Sequence, residues 1–177
     1  MNFLPTPLPG VIEIGIEPHR DERGFFARSW CRNEFQQHGL NPSLVQCNIS
    51  VNASRGTLRG MHWQAPPHAE AKLVRCTRGA VCDVVIDLRP DSPAYKQWVA
   101  LELTSANYRM AYVPEGCAHG FLTLADDTEV FYQMSEFYHP ESARGLRWND
   151  RAFTIQWPEE VRVISERDRT YPDFETQ

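Results

Sequence analysis

Arg59-Gly60-Met61-His62-Trp63-Gln64, taken with Pro114-Glu115-Gly116-Cys117-Ala118-His119-Gly120-Phe121, is the pair of stretches on which the fold turns. Each sets one histidine near the end of a β-type run, and Lys72 lies between them. Side chains of a regular strand alternate faces, so Gly60, His62 and Gln64 fall on one face and Arg59 on the other. Arg59 joins that face only if a bulge or the strand end turns it. Polar groups inside a sheet are costly unless satisfied, so several on one face point to a ligand pocket.

Outward from these stretches the same period continues. Val11 to Glu17, Val99 to Leu103 and parts of Ala80 to Leu88 alternate apolar and polar residues, as half-buried strands do. Phe25 to Trp30, Leu44 to Val51, Thr57 to Trp63, Lys72 to Thr77, Met110 to Val113, Gly120 to Thr123 and Val130 to Met134 are further strand-like runs. Turn clusters such as Asp21-Glu22-Arg23-Gly24, Thr77-Arg78-Gly79 and Arg89-Pro90-Asp91-Ser92-Pro93 separate them. About ten short strands at this spacing predict an all-β sandwich or barrel of the jelly-roll kind. One helix is expected from Arg32 to His38, with Gly39 at its C-terminal cap. The tail from Ser165 is charged and proline-bearing, and reads as a surface segment. Without an internal repeat, a low-complexity tract or a linker, residues 1–177 read as one domain.

Composition narrows the partners. A net charge of −5 argues against a nucleic-acid footprint, which needs a basic face, so any anion must be met locally. The basic residues are 16 arginines and 2 lysines, which makes Lys72 conspicuous. Five cysteines are scattered without a C-x-x-C pair, and read as reduced, mostly buried thiols of a cytoplasmic protein. No N-terminal apolar segment and no run of about 18 apolar residues marks export or a membrane span.

Pro114-x-Gly116-x-x-His119 has the shape of the second motif of the cupins, which raises a metal site. The first motif argues against one, because Gln64 stands where a second histidine would be needed. Glu70 is a possible substitute, but such a site favours two or three imidazoles, so no metal is expected.

Asp21-x-Arg23-Gly24-Phe25-Phe26, Gln46-x-Asn48-x-Ser50, Leu58-Arg59-Gly60-Met61-His62-x-Gln64, Lys72-Leu73-Val74-Arg75, Asp83-Val84-x-x-Asp87-Leu88-Arg89, Pro114-x-Gly116-x-Ala118-His119-Gly120-Phe121, Trp148-Asn149-Asp150 and Trp157-Pro158 together resemble the dTDP-4-dehydrorhamnose 3,5-epimerase family. The resemblance runs from about residue 10 to 170. It implies a cupin-type jelly roll with one or two short helices and without metal or other cofactor. It also implies a homodimer acting on a nucleotide-linked 4-keto-6-deoxyhexose. The ketone at C4 acidifies the hydrogens at C3 and C5, so inversion needs a base on one face, a stabiliser for the enolate oxygen and a proton donor on the other.

By this resemblance His62 is the base, Asp168 its hydrogen-bonded partner, Lys72 the cation near the sugar O4, and Tyr132 the donor on the opposite face. His119 and Tyr138 match substrate-contacting positions, Gln46 and Asn48 nucleotide-contacting ones, and Arg23 and Arg59 the diphosphate. Taken alone, Asp168 is an ordinary surface carboxylate in a charged tail, and Tyr132 a packed strand tyrosine. Three positions depart from the family: Arg28 and Arg144 stand where glutamate is common, and Arg167 where lysine is. These substrate-contacting positions leave two alternatives open, an epimerase acting at C3 alone and a non-catalytic sugar-nucleotide-binding cupin.

Overall fold

The computed structural model describes residues 1–174, and the last three residues of the expected domain lie outside the described ones. Its strands are β1 (Asn2–Pro5), β2 (Ile12–Gly15), β3 (His19–Asp21), β4 (Gly24–Phe26), β5 (Gln46–Asn52), β6 (Thr57–Gln64) and β7 (Lys72–Arg78). They continue with β8 (Ala80–Asp87), β9 (Trp98–Thr104), β10 (Met110–Val113), β11 (Cys117–Thr123), β12 (Thr128–Met134), β13 (Ala143–Gly145) and β14 (Val163–Ile164). Two short helices, α1 (Arg32–Gln37) and α2 (Glu166–Arg169), complete the set.

One sheet runs β1-β2-β10-β7-β12-β5 and the other β13-β6-β11-β8-β9, with β14 alongside β6 and β3–β4 as a separate hairpin. Val74, Cys76, Ala111 and Val130 of the first sheet pack on Val81, Leu101, Leu103 and Phe121 of the second, so the sheets face each other across one core. Neighbours distant in sequence pair within both sheets, which is the jelly-roll sandwich expected.

Several elements differ from expectation for physical reasons. Strand β8 is buried on both faces, because Leu146 and Phe153 cover Cys82, Val84 and Ile86 from outside while Val81 faces the inner core. The run Phe25 to Trp30 shortens to Gly24–Phe26, since its only pairing partner is the three-residue β3. Strands β1, β13 and β14 carry no periodic signal and form by pairing with β2 or β6. Helix α1 stops where Gly39 was expected to cap it, with Gly39 at a φ of 68° that glycine enters freely.

Candidate active site

Two adjoining cavities of about 350 and 420 Å³ open between the sheets and share Ile49, His62, Lys72 and Tyr132. Arg59, His119 and Asp168 line the first; Gln46, Asn48, Tyr138, Arg144 and Arg167 line the second. Arg23 and Arg28 line neither. Arg23 lies in the turn of the β3–β4 hairpin, which joins neither large sheet, and Arg28 just beyond it; they pair instead with Asp21 and Glu34.

The placement of Arg59 follows from a β-bulge. His62 pairs with His119 and Arg59 with Phe121, so Gly60 and Met61 together oppose the single residue Gly120. The extra residue resets the alternation and brings Arg59 into the cavity with His62. Gly60 takes a φ of 125°, and a Cβ there would stand 2.5 Å from the Cα of Gly120, so no other residue fits. Arg59 is held by its Nε, which donates to Asn52 Oδ1 at 2.7 Å.

His62 Nε2 lies 2.7 Å from Asp168 Oδ1, and Gly60 N–H donates to the other carboxylate oxygen at 3.2 Å. Burial pushes the Asp168 pKa up, but the hydrogen bond and charge of His62, with the Gly60 and Ser165 contacts, outweigh it and hold the carboxyl below its ordinary value. An ionised carboxylate only accepts, so Nε2 carries the hydrogen, and in the neutral ring the lone pair is then on Nδ1. Asp168 is buried on α2, which corrects the reading of a surface carboxylate. Strand β14 pairs in parallel with β6, and Ser165 caps α2, so the tail is anchored where Asp168 meets His62.

A second histidine pair sits beside the first. His119 Nε2 lies 2.7 Å from Asp83 Oδ2, and Asp83 is fully buried in β8. From the other sheet Lys72 forms a buried ion pair with Glu70 at 2.9 Å, and Glu70 accepts from Gln64 at 3.3 Å. Tyr132 pairs in register with Asn48 of β5 and Val74 of β7. Burial raises its pKa; the charge of Arg59 and a hydrogen bond with Asn48 offset this only in part, so the phenol keeps its proton at neutral pH.

In the second cavity Gln46 Nε2 reaches Asn48 at 3.4 Å and its oxygen accepts from Tyr138 N–H at 3.3 Å. Arg167 donates to the hydroxyl of Tyr171 at 2.7 Å and is also bonded to Tyr138. Arg144 lies against its own loop, its Nη1 donating to the carbonyl oxygens of Glu141 and Ala143 at 2.8 and 3.0 Å.

From sequence Asp83 and Tyr171 have no site role, and Glu70 only that of a rejected metal ligand. Asp83 had a signal, a carboxylate inside the apolar run Val81-Cys82-Asp83-Val84-Val85. Tyr171 had none: it stacks edge-on to His62 at 6.0 Å and packs on Gly145, where a Cβ would fall 2.0 Å from its ring.

Comparison with known proteins identifies the family. The family described as dTDP-4-dehydrorhamnose 3,5-epimerase matches residues 5–176. A dTDP-4-dehydrorhamnose 3,5-epimerase of Methanothermobacter thermautotrophicus is 42% identical over 172 residues, covering 96% of this chain and 92% of that protein. The crystal structure of dTDP-4-dehydrorhamnose 3,5-epimerase from Elizabethkingia anophelis NUHP1 is similar with a TM-score of 0.97 and 37% identity, over 100% of this chain and 98% of the other. ChmJ, a 3'-monoepimerase from Streptomyces bikiniensis solved with dTDP-quinovose, gives a TM-score of 0.89 at 30% identity, over 97% of this chain and 87% of ChmJ. With a family match over nearly its whole length and relatives this similar, the chain belongs to the dTDP-4-dehydrorhamnose 3,5-epimerase family and has its cupin-type jelly roll.

Proposed function

We propose that this chain is an isomerase that inverts C3 and C5 of dTDP-4-dehydro-6-deoxyglucose, giving dTDP-4-dehydrorhamnose through an enolate. One observation carries the reading: His62, with Asp168 behind it, and Tyr132 enter the same cleft from opposite sheets. A substrate between them meets a base on one face and an acid on the other.

Nδ1 of His62 takes the proton from carbon while Asp168 holds Nε2–H and stabilises the imidazolium. Lys72, positioned by Glu70, offsets the charge that develops on O4. Tyr132 delivers its proton from the other sheet, so the carbon inverts. Each cycle leaves His62 protonated and Tyr132 deprotonated, and exchange with solvent resets both. Only protons move, so the chemistry calls for no redox cofactor. Arg59 meets the diphosphate, His119 the sugar, and Gln46, Asn48, Tyr138, Arg144 and Arg167 the remainder of the nucleotide sugar.

Arg23 and Arg28 line neither cavity of their own chain, so a role for them at the substrate calls for a second copy, in keeping with a homodimer. Strand β5 ends its sheet with Ile49 63% exposed, and Phe26 of the hairpin is 76% exposed, apolar surface that a second chain would cover. Sedimentation at the mass of one chain would overturn the dimer. Five free cysteines support a cytoplasmic setting, and among the described residues no helix is long and apolar enough to cross a membrane.

The test is to incubate the protein with dTDP-4-dehydro-6-deoxyglucose in D₂O and follow the ring protons by NMR. Deuterium at C3 and C5 with formation of dTDP-4-dehydrorhamnose is expected. Similarity to ChmJ favours a second reading, inversion at C3 alone, which exchange at C3 without C5 would select. No exchange at either carbon would overturn both and leave a binding protein.

A further inference from the structure

At the outer edge of the second cavity two loops are tied together by one buried side chain. The amide of Gln64 donates to the carbonyl oxygens of His68 and Phe137 at 3.1 and 3.0 Å, and its own oxygen accepts from His139 N–H at 2.6 Å. This clamp brings two histidines, 71 positions apart in the chain, side by side. Their rings stack with centroids 3.5 Å apart and planes within 7°. Glu141 Oε1 stands 3.2 Å from His139 Nδ1 and 3.9 Å from His68 Nε2. Glu136 Oε1 is 4.0 Å from His139 Nε2. The epimerisation described above uses none of these groups.

We propose that His68, His139 and Glu141 bind one divalent transition-metal ion of the zinc class at the rim of the cleft. Two imidazoles and a carboxylate are a donor set that zinc accepts, with a fourth position left for water. Donor atoms around a tetrahedral zinc stand about 3.3 Å apart, given bonds near 2.0–2.1 Å. The three ligand atoms here already lie within 4.8 Å of one another, and the ion draws them inward. An imidazole lone pair lies in its ring plane, so two parallel rings cannot both aim at one ion; one ring turns out of the stack on binding. That turn is a side-chain rotation at the protein surface, because both imidazoles are partly exposed and Glu141 is exposed. The backbone beneath them is already fixed by Gln64, so little further ordering is required. The ion would sit apart from His62 and His119, whose Nε2 atoms are engaged by Asp168 and Asp83.

Isothermal titration of Zn²⁺ into the metal-free protein tests this, with the Co²⁺ absorption spectrum as a second readout. One ion per chain is expected, with an intense visible band typical of four-coordinate cobalt. His68→Ala and Glu141→Gln should each weaken binding more than about tenfold, while His62→Asn binds as the wild type does. Glu141→Gln alters an exposed side chain and carries the test if His68→Ala fails to fold. Wild-type affinity in either folded variant, or no saturable one-to-one binding, would overturn the proposal.

Discussion

His62 and His119 are register partners on adjacent strands, and each has an aspartate 2.7 Å from its Nε2, yet the two pairs are built differently. The His62 side chain is 39% exposed to the cleft and its aspartate comes from α2, 106 residues along the chain. The His119 side chain is 10% exposed and Asp83, from the neighbouring strand β8, is 0% exposed. In the proposed reaction the exposed pair trades a proton with substrate and solvent, while the buried pair, locked into the sheet, is a fixed contact. The same two residue types at the same distance therefore acquire different roles from their placement.

Breaking the first pair should have the largest effect. His62→Asn is expected to lower kcat by about 10⁴-fold, the upper end of what a positioned acid–base contributes, with a modest fall in thermal midpoint because the buried Asp168 loses its partner. Steady-state kinetics beside a melting curve checks this. Asp168→Asn keeps the shape but removes the charge that supports the imidazolium, and about a 10²-fold loss in kcat is expected.

Breaking the second pair should shift the balance from rate toward stability. Asp83→Asn is expected to cost about tenfold in kcat/KM or less, because it acts through His119 rather than on the reacting carbon. Its stability cost should be about 1–3 kcal/mol, since the residue is fully buried and one carboxylate oxygen, Oδ1, has no hydrogen-bond partner among the described residues. Urea unfolding of Asp83→Asn and Asp168→Asn side by side measures the contrast.

The smallest effect is one of pH. The Asp168 carboxyl titrates below its ordinary value of 3.8 in the folded chain, so between the two values the unfolded chain binds more protons. The stability this group contributes is complete above 3.8 and lost as pH falls through the folded value. Unfolding followed from pH 5 to pH 3 should show a steeper loss in the wild type than in Asp168→Asn, and equal slopes would count against the ionised pair.

Local pattern made part of this legible. Alternation in Gly60-Met61-His62-Trp63-Gln64 puts His62 and Gln64 on the inner face, and it also states the condition, a bulge, under which Arg59 joins them. Asp168 is of another kind. Its position depends on the parallel pairing of Val163 and Ile164 with Thr57 and Leu58, a contact between segments so distant that only family resemblance singled the residue out. Asp83 carried a local signal, a carboxylate within an apolar run, but β8 resembles a half-buried strand whose other face could hold it in solvent, and nothing local announces that residues around Leu146 and Phe153 will cover the outer face. Arg23 and Arg28 show the converse limit: resemblance names them as contacts, yet they line neither cavity of their own chain.

The central claim is that the half-exposed pair, not the buried one, moves the proton. Single-turnover deuterium wash-in from D₂O into dTDP-4-dehydro-6-deoxyglucose, compared for His62→Asn and His119→Asn, tests it most directly. The account predicts that His62→Asn abolishes exchange at C3 and C5 while His119→Asn slows it but leaves it measurable. Exchange at the wild-type rate in His62→Asn, or its complete loss in His119→Asn alone, would contradict it.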